Sequence, residues 1–99
     1  MNIESKMKKE TICIKIDGRI DSNTAPELEK YISENIGDAK AAELDFKKVE
    51  YISSAGLRVM LSLQKRVSKE EGHVIIKHMN DTVKAVFELT GFADMFIIK

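Results

Sequence analysis

A serine pair followed by two small residues is the feature of this sequence with the clearest chemical potential. Ser53-Ser54-Ala55-Gly56 follows a predicted strand and a short link. A serine hydroxyl at a helix N-cap accepts a hydrogen bond from a free backbone N–H group, typically worth about 1 kcal/mol. We therefore expect the helix to start at Ser54, with this hydroxyl at its N-cap. On residue types alone, a structural cap is the simplest interpretation of Ser54.

The same segment is also suited to an anion. Ala55 and Gly56 are small, so a large group can approach the first helical turn and its unpaired N–H donors. The positive end of the helix dipole favours negative charge at this point. A phosphate on Ser54 would therefore cost the helix little and would reinforce its start.

Two charged residues accompany this segment. Arg58 lies one helical turn after Ser54, where it could pair with a phosphate or with an acidic partner surface. It could equally be an ordinary exposed helix arginine. Asp21, in an earlier turn before a helix, is by itself no more than a typical turn residue.

Other chemistries find less support in the sequence. His73 and His78 are five residues apart on a predicted strand, so they point to opposite faces and cannot share a metal ion. A nucleophilic Ser54 would need a base and an orienting partner, and the G-x-S-x-G pattern of many hydrolases is absent. No glycine-rich loop suits a nucleotide phosphate. We expect no metal, no cofactor and no enzymatic activity.

Composition limits the class of partner and the compartment. The 99 residues carry 16 basic and 16 acidic side chains, and this balance argues against a nucleic-acid-binding protein. No apolar run approaches the roughly 20 residues of a membrane span, and charges interrupt any signal-peptide pattern at the N-terminus. Cys13 is a lone cysteine and cannot form an internal disulfide. The expected location is the cytoplasm.

Alternating hydrophobicity predicts the strands that must position these residues. A strand over residues 11–16 places three isoleucines on one face, and a weaker strand over residues 2–7 joins it in a hairpin. We expect residues 17–21 to break the second strand and lead into a helix. The remaining strands are predicted at residues 42–46, with a link up to residue 52, then at 73–78 and 95–98.

The first helix has strong start and stop signals. Thr24 and Glu27 fit a capping box, and Pro26 suits the first turn because its missing N–H needs no helical partner there. Gly37 is a natural stop. We therefore predict a helix between Thr24 and Gly37.

Two further helices follow from apolar residues at three- and four-residue intervals. The second runs from Ser54 to Glu71-Gly72, and the third is capped by Asn80 or Asp81 and stops at Gly91. The order β β α β α β α β predicts an α/β layer fold. Its sheet should have about five strands, mixed but mostly parallel, with helices packed on it.

Two motifs in this order resemble the STAS domain, in particular that of bacterial anti-sigma factor antagonists. Residues 45–61, DFKKVEYISSAGLRVML, look like the family's signature segment, and residues 18–25, GRIDSNTA, resemble its second marker. The resemblance extends from about residue 11 to residue 98. It implies a single STAS-like domain over residues 1–99.

The resemblance also implies a function. Members of this family bind an anti-sigma factor, often an ATP-dependent serine kinase, and so release a sigma factor. The kinase phosphorylates a serine at the start of helix two, and a cognate phosphatase restores it. By this resemblance Ser54 is the phosphoacceptor, and Asp21 lies close to it, where the family uses an acidic residue in partner recognition or phosphorylation. The expected partner-binding residues are Asp21, Ser22, Asn23, Ser53, Ser54, Ala55, Gly56 and Arg58.

Two positions depart from the family pattern. Many antagonists carry Asp-Ser-Ser/Thr-Gly, whereas this chain has Ser53 in place of the Asp and Ala55 in place of the second hydroxyl. Ser53 is therefore a rival acceptor for Ser54. A STAS subunit of another assembly, such as a stress-signalling complex or a lipid-transport system, is the alternative function, and a serine hydrolase built on Ser54 is a more distant one.

Overall fold

Five strands form one mixed sheet in the order β1-β2-β3-β4-β5. The computed structural model describes residues 1–99. Strands β1 and β2 pair antiparallel as a hairpin, and every later pair is parallel. The strands are β1 Asn2–Lys8, β2 Thr11–Ile20, β3 Ala41–Ile52, β4 Val74–Lys77 and β5 Ile97–Ile98.

Three α-helices connect the parallel strands. They are α1 Ala25–Asn35, α2 Ser54–Ser68 and α3 Asp81–Leu89, and a short 3-10 turn at Phe92–Met95 precedes β5. Each crossover leads to the next strand in the same direction, so right-handed connections place all three helices on one face of the sheet. The predicted α/β fold with a mixed, mostly parallel sheet is confirmed. None of the helices is both long enough and apolar enough to span a membrane.

The hydrophobic core lies between this helical layer and one face of the sheet. The three isoleucines predicted to share a face of β2 are buried there, and Ala42, Leu44 and Phe46 of β3 are buried beside them. On the opposite face the side chains of β2 and β3 are mostly polar and are half-exposed or exposed. The sheet is therefore covered on one side only.

The predicted break at residues 17–21 and the link after residue 46 are wrong. Strand β2 continues to Ile20, and β3 continues to Ile52. Register shifts between Lys15 and Asp17 and between Gly18 and Arg19 keep the two strands paired. Gly18 has φ of +123°, a conformation that costs glycine little. The polar residues thus mark bulges and not the end of the strand.

Several predicted boundaries also shift. Helix α2 ends at Ser68, before Glu71, because Glu71 adopts a left-handed φ of +60° and Gly72 donates a hydrogen bond back to the Val67 carbonyl. Strand β4 is shorter than predicted by one residue at each end. The last strand begins only at Ile97, because the 3-10 turn occupies the chain up to Met95.

The predicted capping box of α1 is wrong in its details. Thr24 precedes the helix, but its hydroxyl forms no cap hydrogen bond. It accepts instead from the Asp21 N–H (2.9 Å) and donates to the Arg19 carbonyl (2.7 Å). Pro26 does lie in the first turn, as predicted. The threonine therefore stabilises the preceding turn and not the helix end.

Candidate functional site

The ends of β2 and β3 bring the two predicted motifs together. Ile20 pairs with Ile52 at the last position of the parallel ladder. The Ser53 N–H then donates a hydrogen bond to the Ile20 carbonyl (2.8 Å). Because Asp21 and Ser53 each follow directly on this pair, the Asp21 turn and the start of α2 are neighbours at the carboxyl edge of the sheet.

The N-cap of α2 is Ser53 and not Ser54, so that part of the sequence interpretation is wrong. Ser53 has extended backbone angles (φ −98°, ψ 177°), and its side chain accepts from the Gly56 N–H at 3.5 Å. A cap must be the last residue before helical geometry, and Ser53 still belongs to the exit from β3. Ser54 is the first helical residue, is exposed, and makes no side-chain hydrogen bond within the chain.

Gly56 holds the start of α2 close to the sheet. A Cβ at this position would lie 2.7 Å from both Ile20 Cγ2 and Ile52 Cγ1, and 3.0 Å from the Ile20 carbonyl oxygen. Real Cβ atoms do not approach other atoms so closely. The glycine is therefore required for packing, and it lets the Ser53–Ile20 hydrogen bond form beside it.

The Asp21 carboxylate organises the turn between β2 and α1. Its Oδ1 accepts from the Asn23 N–H (2.9 Å) and the Thr24 N–H (3.1 Å). Hydrogen bonds from the backbone of Thr24 and then of Asn23 hold the pKa of Asp21 below its ordinary value. Its other oxygen lies 3.8 Å from Arg19 Nε. Asp21 thus fixes the shape of the turn that presents Ser22 and Asn23, both of which are exposed.

Arg19 and Tyr51 are site residues that sequence reasoning missed. They are partners in the β2–β3 register, and the Arg19 guanidinium lies 4.9 Å from the centroid of the Tyr51 ring. A cation over an aromatic face at this distance is attracted by the ring quadrupole. No local sequence pattern predicts this pair, because two register shifts, each with one extra residue in β3, decide which residues face each other.

A shallow cleft separates the first turns of α1 and α2. Its volume is about 320 Å³, and its walls include Ser22 and Pro26 on one side and Ala55 and Arg58 on the other. The predicted partner-binding residues Ser22, Ala55 and Arg58 are therefore brought together. Arg58 is exposed and forms no ion pair within the chain.

The neighbourhood of Ser54 lacks the parts of a nucleophilic site. His78 hydrogen-bonds Asp45 (3.0 Å) in the middle of β3, and His73 lies before β4, at the opposite end of the sheet from Ser54. Neither imidazole contacts the Ser54 hydroxyl. No group of three or more His, Cys, Asp or Glu side chains has the arrangement of a metal site. What the geometry offers is an exposed hydroxyl at a helix start.

A second polar cluster lies on the uncovered face of the sheet. The Lys77 ammonium pairs with Glu43 (2.6 Å), and the Cys13 thiol donates to the same carboxylate at 3.5 Å. Burial, followed by the hydrogen bond to Glu43, raises the pKa of the Cys13 thiol. The cysteine therefore stays protonated and unreactive near neutral pH.

One family model matches the part of the chain that contains both motifs. Residues 2–99 match the STAS domain family, a range that includes the Asp21 turn and the start of α2. This chain belongs to the STAS domain family. The resemblance read from the sequence is thereby confirmed.

Relatives of this STAS domain carry related names. BtrV of Bordetella bronchiseptica, provisionally named an anti-sigma factor antagonist, is 32% identical over 82 residues, which is 82% of this chain and 71% of BtrV. The anti-sigma-B factor antagonist of Staphylococcus aureus is 26% identical over 96 residues, covering 96% of this chain and 89% of that protein.

Solved structures show the same fold. The Bacillus anti-sigma factor antagonist SpoIIAA, at 20% identity, superposes with a TM-score of 0.77 in its unphosphorylated form and 0.76 in its phosphorylated form. These superpositions cover 99% of this STAS domain and 87% and 91% of the two SpoIIAA chains. The likeness extends over the full sheet and all three helices.

Proposed function

We propose that this STAS domain is an anti-sigma factor antagonist, a protein-binding switch with no chemistry of its own. Its unphosphorylated form binds an anti-sigma factor in the cytoplasm and so releases a sigma factor. The names of its relatives in Bordetella and Staphylococcus support this class. The observation that carries the switch is the exposed Ser54, placed at the first position of α2 with an unengaged hydroxyl.

Phosphorylation of Ser54 is the proposed off state. Because Ser53 already caps the helix, modifying Ser54 breaks no hydrogen bond of the fold. The added group carries about −1.5 to −2 charges at neutral pH and lies at the positive end of the α2 dipole. The free STAS domain therefore tolerates the phosphate.

The bound state does not tolerate it. An uncompensated charge buried in an interface costs several kcal/mol. Reversing a complex from 99:1 bound to 1:99 requires about 5.5 kcal/mol. A single phosphate at the centre of the interface can supply most of this energy by local electrostatics, without refolding of the domain.

The proposed interface combines the start of α2 with the Asp21 turn. Ser22 and Asn23 are exposed beside the cleft that Ala55 and Arg58 line. The proposed partners are an anti-sigma factor with serine kinase activity and a cognate phosphatase. The kinase must reach the Ser54 hydroxyl, which is exposed, whereas the Ser53 hydroxyl is half-buried and accepts from Gly56. This difference favours Ser54 over Ser53 as the acceptor.

Incubation with the serine-kinase-type anti-sigma factor encoded nearest to this chain, ATP and magnesium tests the acceptor. Mass spectrometry should locate one phosphate on Ser54. Ser54→Ala should abolish the modification, whereas the matched variant Ser53→Ala should retain it. Phosphate incorporation that survives Ser54→Ala would show that the acceptor is elsewhere.

Binding to the same purified anti-sigma factor tests the switch. Ser54→Ala should bind as tightly as the wild-type chain, and Ser54→Asp should bind at least tenfold more weakly. Equal affinity of the two variants would remove the switch. A high affinity that is the same for every residue at position 54 would instead favour a STAS subunit of a constitutive assembly.

A further inference from the structure

The solvent-facing side of α2 carries positive charge from Arg58 to its C-terminal end. Counting from Ser54, the residues at intervals of four, four, three and four are Arg58, Ser62, Lys65 and Lys69. At 3.6 residues per turn these positions share one stripe along the helix. All five are exposed. The stripe begins at Ser54 and runs about 22 Å to Lys69.

We call this set the basic stripe: Arg58, Ser62, Lys65 and Lys69, with Arg66 at its border. No acidic side chain on α2 neutralises it. Residues 54–68 contain no Asp or Glu. None of the four cations forms an ion pair with a carboxylate elsewhere in the chain either. Because the domain as a whole is neutral, this concentration of unpaired cations is a property of one face.

A groove follows the stripe. The cleft between the first turns of α1 and α2 is lined by Arg58 and Ser62. A second hollow of about 820 Å³, beside the C-terminal half of α2, is lined by Ser62 again together with Lys65 and Lys69. Ser62 lines both, so the two hollows adjoin along the helix.

We propose that this groove is a docking surface for an acidic segment, extended or helical, of the anti-sigma factor that contacts Ser54. The inference rests on the proposed function, because it extends the interface proposed around Ser54 along α2 to Lys69. Unpaired cations along a groove are complementary to a row of carboxylates, and such complementarity steers association and fixes register. A span of about 22 Å matches roughly 15 residues of helix.

The charge at the rim favours a protein segment over a polyanion. Glu29 borders the first hollow, and Asp38 and Glu70 border the second beside Lys40, which pairs with Glu10, so the unpaired charge at the rim is negative. A continuous row of phosphates would be repelled by this rim, whereas an acidic segment with basic flanks would pair with both rows. Cations near the end of α2 also interact favourably with the helix dipole. That effect accounts for Lys65, Arg66 and Lys69 but not for Arg58, which lies near the N-terminal end of α2.

The phosphate switch acts on the same surface. Arg58 lies one turn from Ser54, within reach of a phosphate placed there. A modified Ser54 therefore lowers the positive potential at the head of the stripe, where the acidic segment would enter. The stripe and the phosphoacceptor therefore act on the same partner segment, the stripe by attracting it and the phosphate by repelling it.

Charge reversal at the far end of the stripe tests the proposal. With the purified anti-sigma factor kinase as the probe, Lys65→Glu/Lys69→Glu should reduce the association rate about tenfold or more at low salt. The neutral pair Lys65→Gln/Lys69→Gln should lose less, which keeps the test valid if the reversal perturbs folding. Circular dichroism verifies that each variant is folded.

The matched control reverses two lysines on the uncovered sheet face. Lys6→Glu/Lys8→Glu makes the same change in net charge and should leave the association rate near that of the wild-type chain. Equal effects of the stripe and control pairs would overturn the proposal, because only net charge would then matter.

Two further measurements separate the remaining outcomes. Ser54→Asp is assayed in parallel: loss of binding there with none in the lysine variants keeps the proposed function and overturns the stripe. Vesicles of phosphatidylcholine and phosphatidylserine provide the other arm. Vesicle binding that Lys65→Glu/Lys69→Glu abolishes, with kinase affinity unchanged, would assign the stripe to a membrane surface instead and overturn the proposal.

Discussion

The backbone N–H of Ser53 donates to the carbonyl of Ile20 at 2.8 Å, and this bond joins the two motifs of the domain. One residue beyond each partner lies a predicted functional group, Asp21 after Ile20 and Ser54 after Ser53. Because β2 and β3 are parallel, their carboxyl ends meet at the same edge of the sheet, and Asp21 and Ser54 both lie at that edge. The position of Ser54 is thus set by backbone pairing, and its side chain remains free.

The two adjacent serines should differ in their effect on stability. Ser53→Ala removes the hydroxyl that accepts from Gly56 N–H and should lower the free energy of unfolding by about 1 kcal/mol. Ser54→Ala removes an exposed hydroxyl without a partner and should change it by less than about 0.5 kcal/mol. Urea denaturation of both variants measures the difference. A larger loss from Ser54→Ala would mean that Ser54 is the cap.

Gly56→Ala should destabilise the domain even though alanine is the better helix former. In an open helix the exchange gains about 1 kcal/mol. Here the new Cβ would meet Ile20 and Ile52 at 2.7 Å, and overpacking of this kind costs about 1–3 kcal/mol. We expect a net loss of about 1 kcal/mol in chemical denaturation. A variant more stable than the wild-type chain would contradict the close approach of α2 to the strand ends.

Gly72→Ala should be the most damaging glycine substitution in the chain. A Cβ at Gly72 would lie 1.6 Å from the Lys40 carbonyl oxygen, which belongs to the backbone and cannot rotate away. We expect a loss of about 3 kcal/mol in the free energy of unfolding. Gly37→Ala is the matched control, since it has φ of +51° but nothing within 4 Å. It should cost only about 1 kcal/mol, and equal losses would refute the steric argument.

Stability should fall in acid partly through Asp21. Its pKa in the folded chain is lowered by hydrogen bonds from Thr24 and Asn23. A carboxyl with a depressed folded pKa contributes stability above its unfolded pKa of about 3.9, and this is lost as the pH falls through the folded pKa. Asp21→Asn keeps an acceptor oxygen but does not titrate. Its unfolding free energy should therefore decline less than that of the wild-type chain between about pH 5 and pH 3. Parallel pH curves for the two proteins would exclude a contribution from Asp21.

Strand alternation and helical spacing were sufficient to predict most of the fold. The isoleucine face of β2 and the inward face of β3 are local patterns, and each is buried as its periodicity indicates. The start of α2 next to Ser54 and the stop of α1 before Gly37 follow equally from local chemistry. Such features depend on neighbouring residues, which the sequence displays directly.

The extent of the strands could not be predicted in the same way. Polar residues 17–19 and 47–48 are typical of a turn, yet both segments lie in paired strands. Residues 17–19 and Lys48 pair with a strand about thirty residues away in the chain, through a register that contains two shifts, and the Lys47 N–H donates to the Asp45 carboxylate. Pairing at this distance leaves no periodic trace in either segment, and the Arg19–Tyr51 contact depends on it.

The sequence by itself determined the STAS family, the order of the elements and the serine pair at the start of α2, because motifs and periodicity are local. Tertiary structure decided which serine caps the helix, since Ser53 is held in an extended conformation by its bond to Ile20. It also decided that Ser54 is left exposed. The serine singled out by its position in the sequence is available because its neighbour performs the structural task.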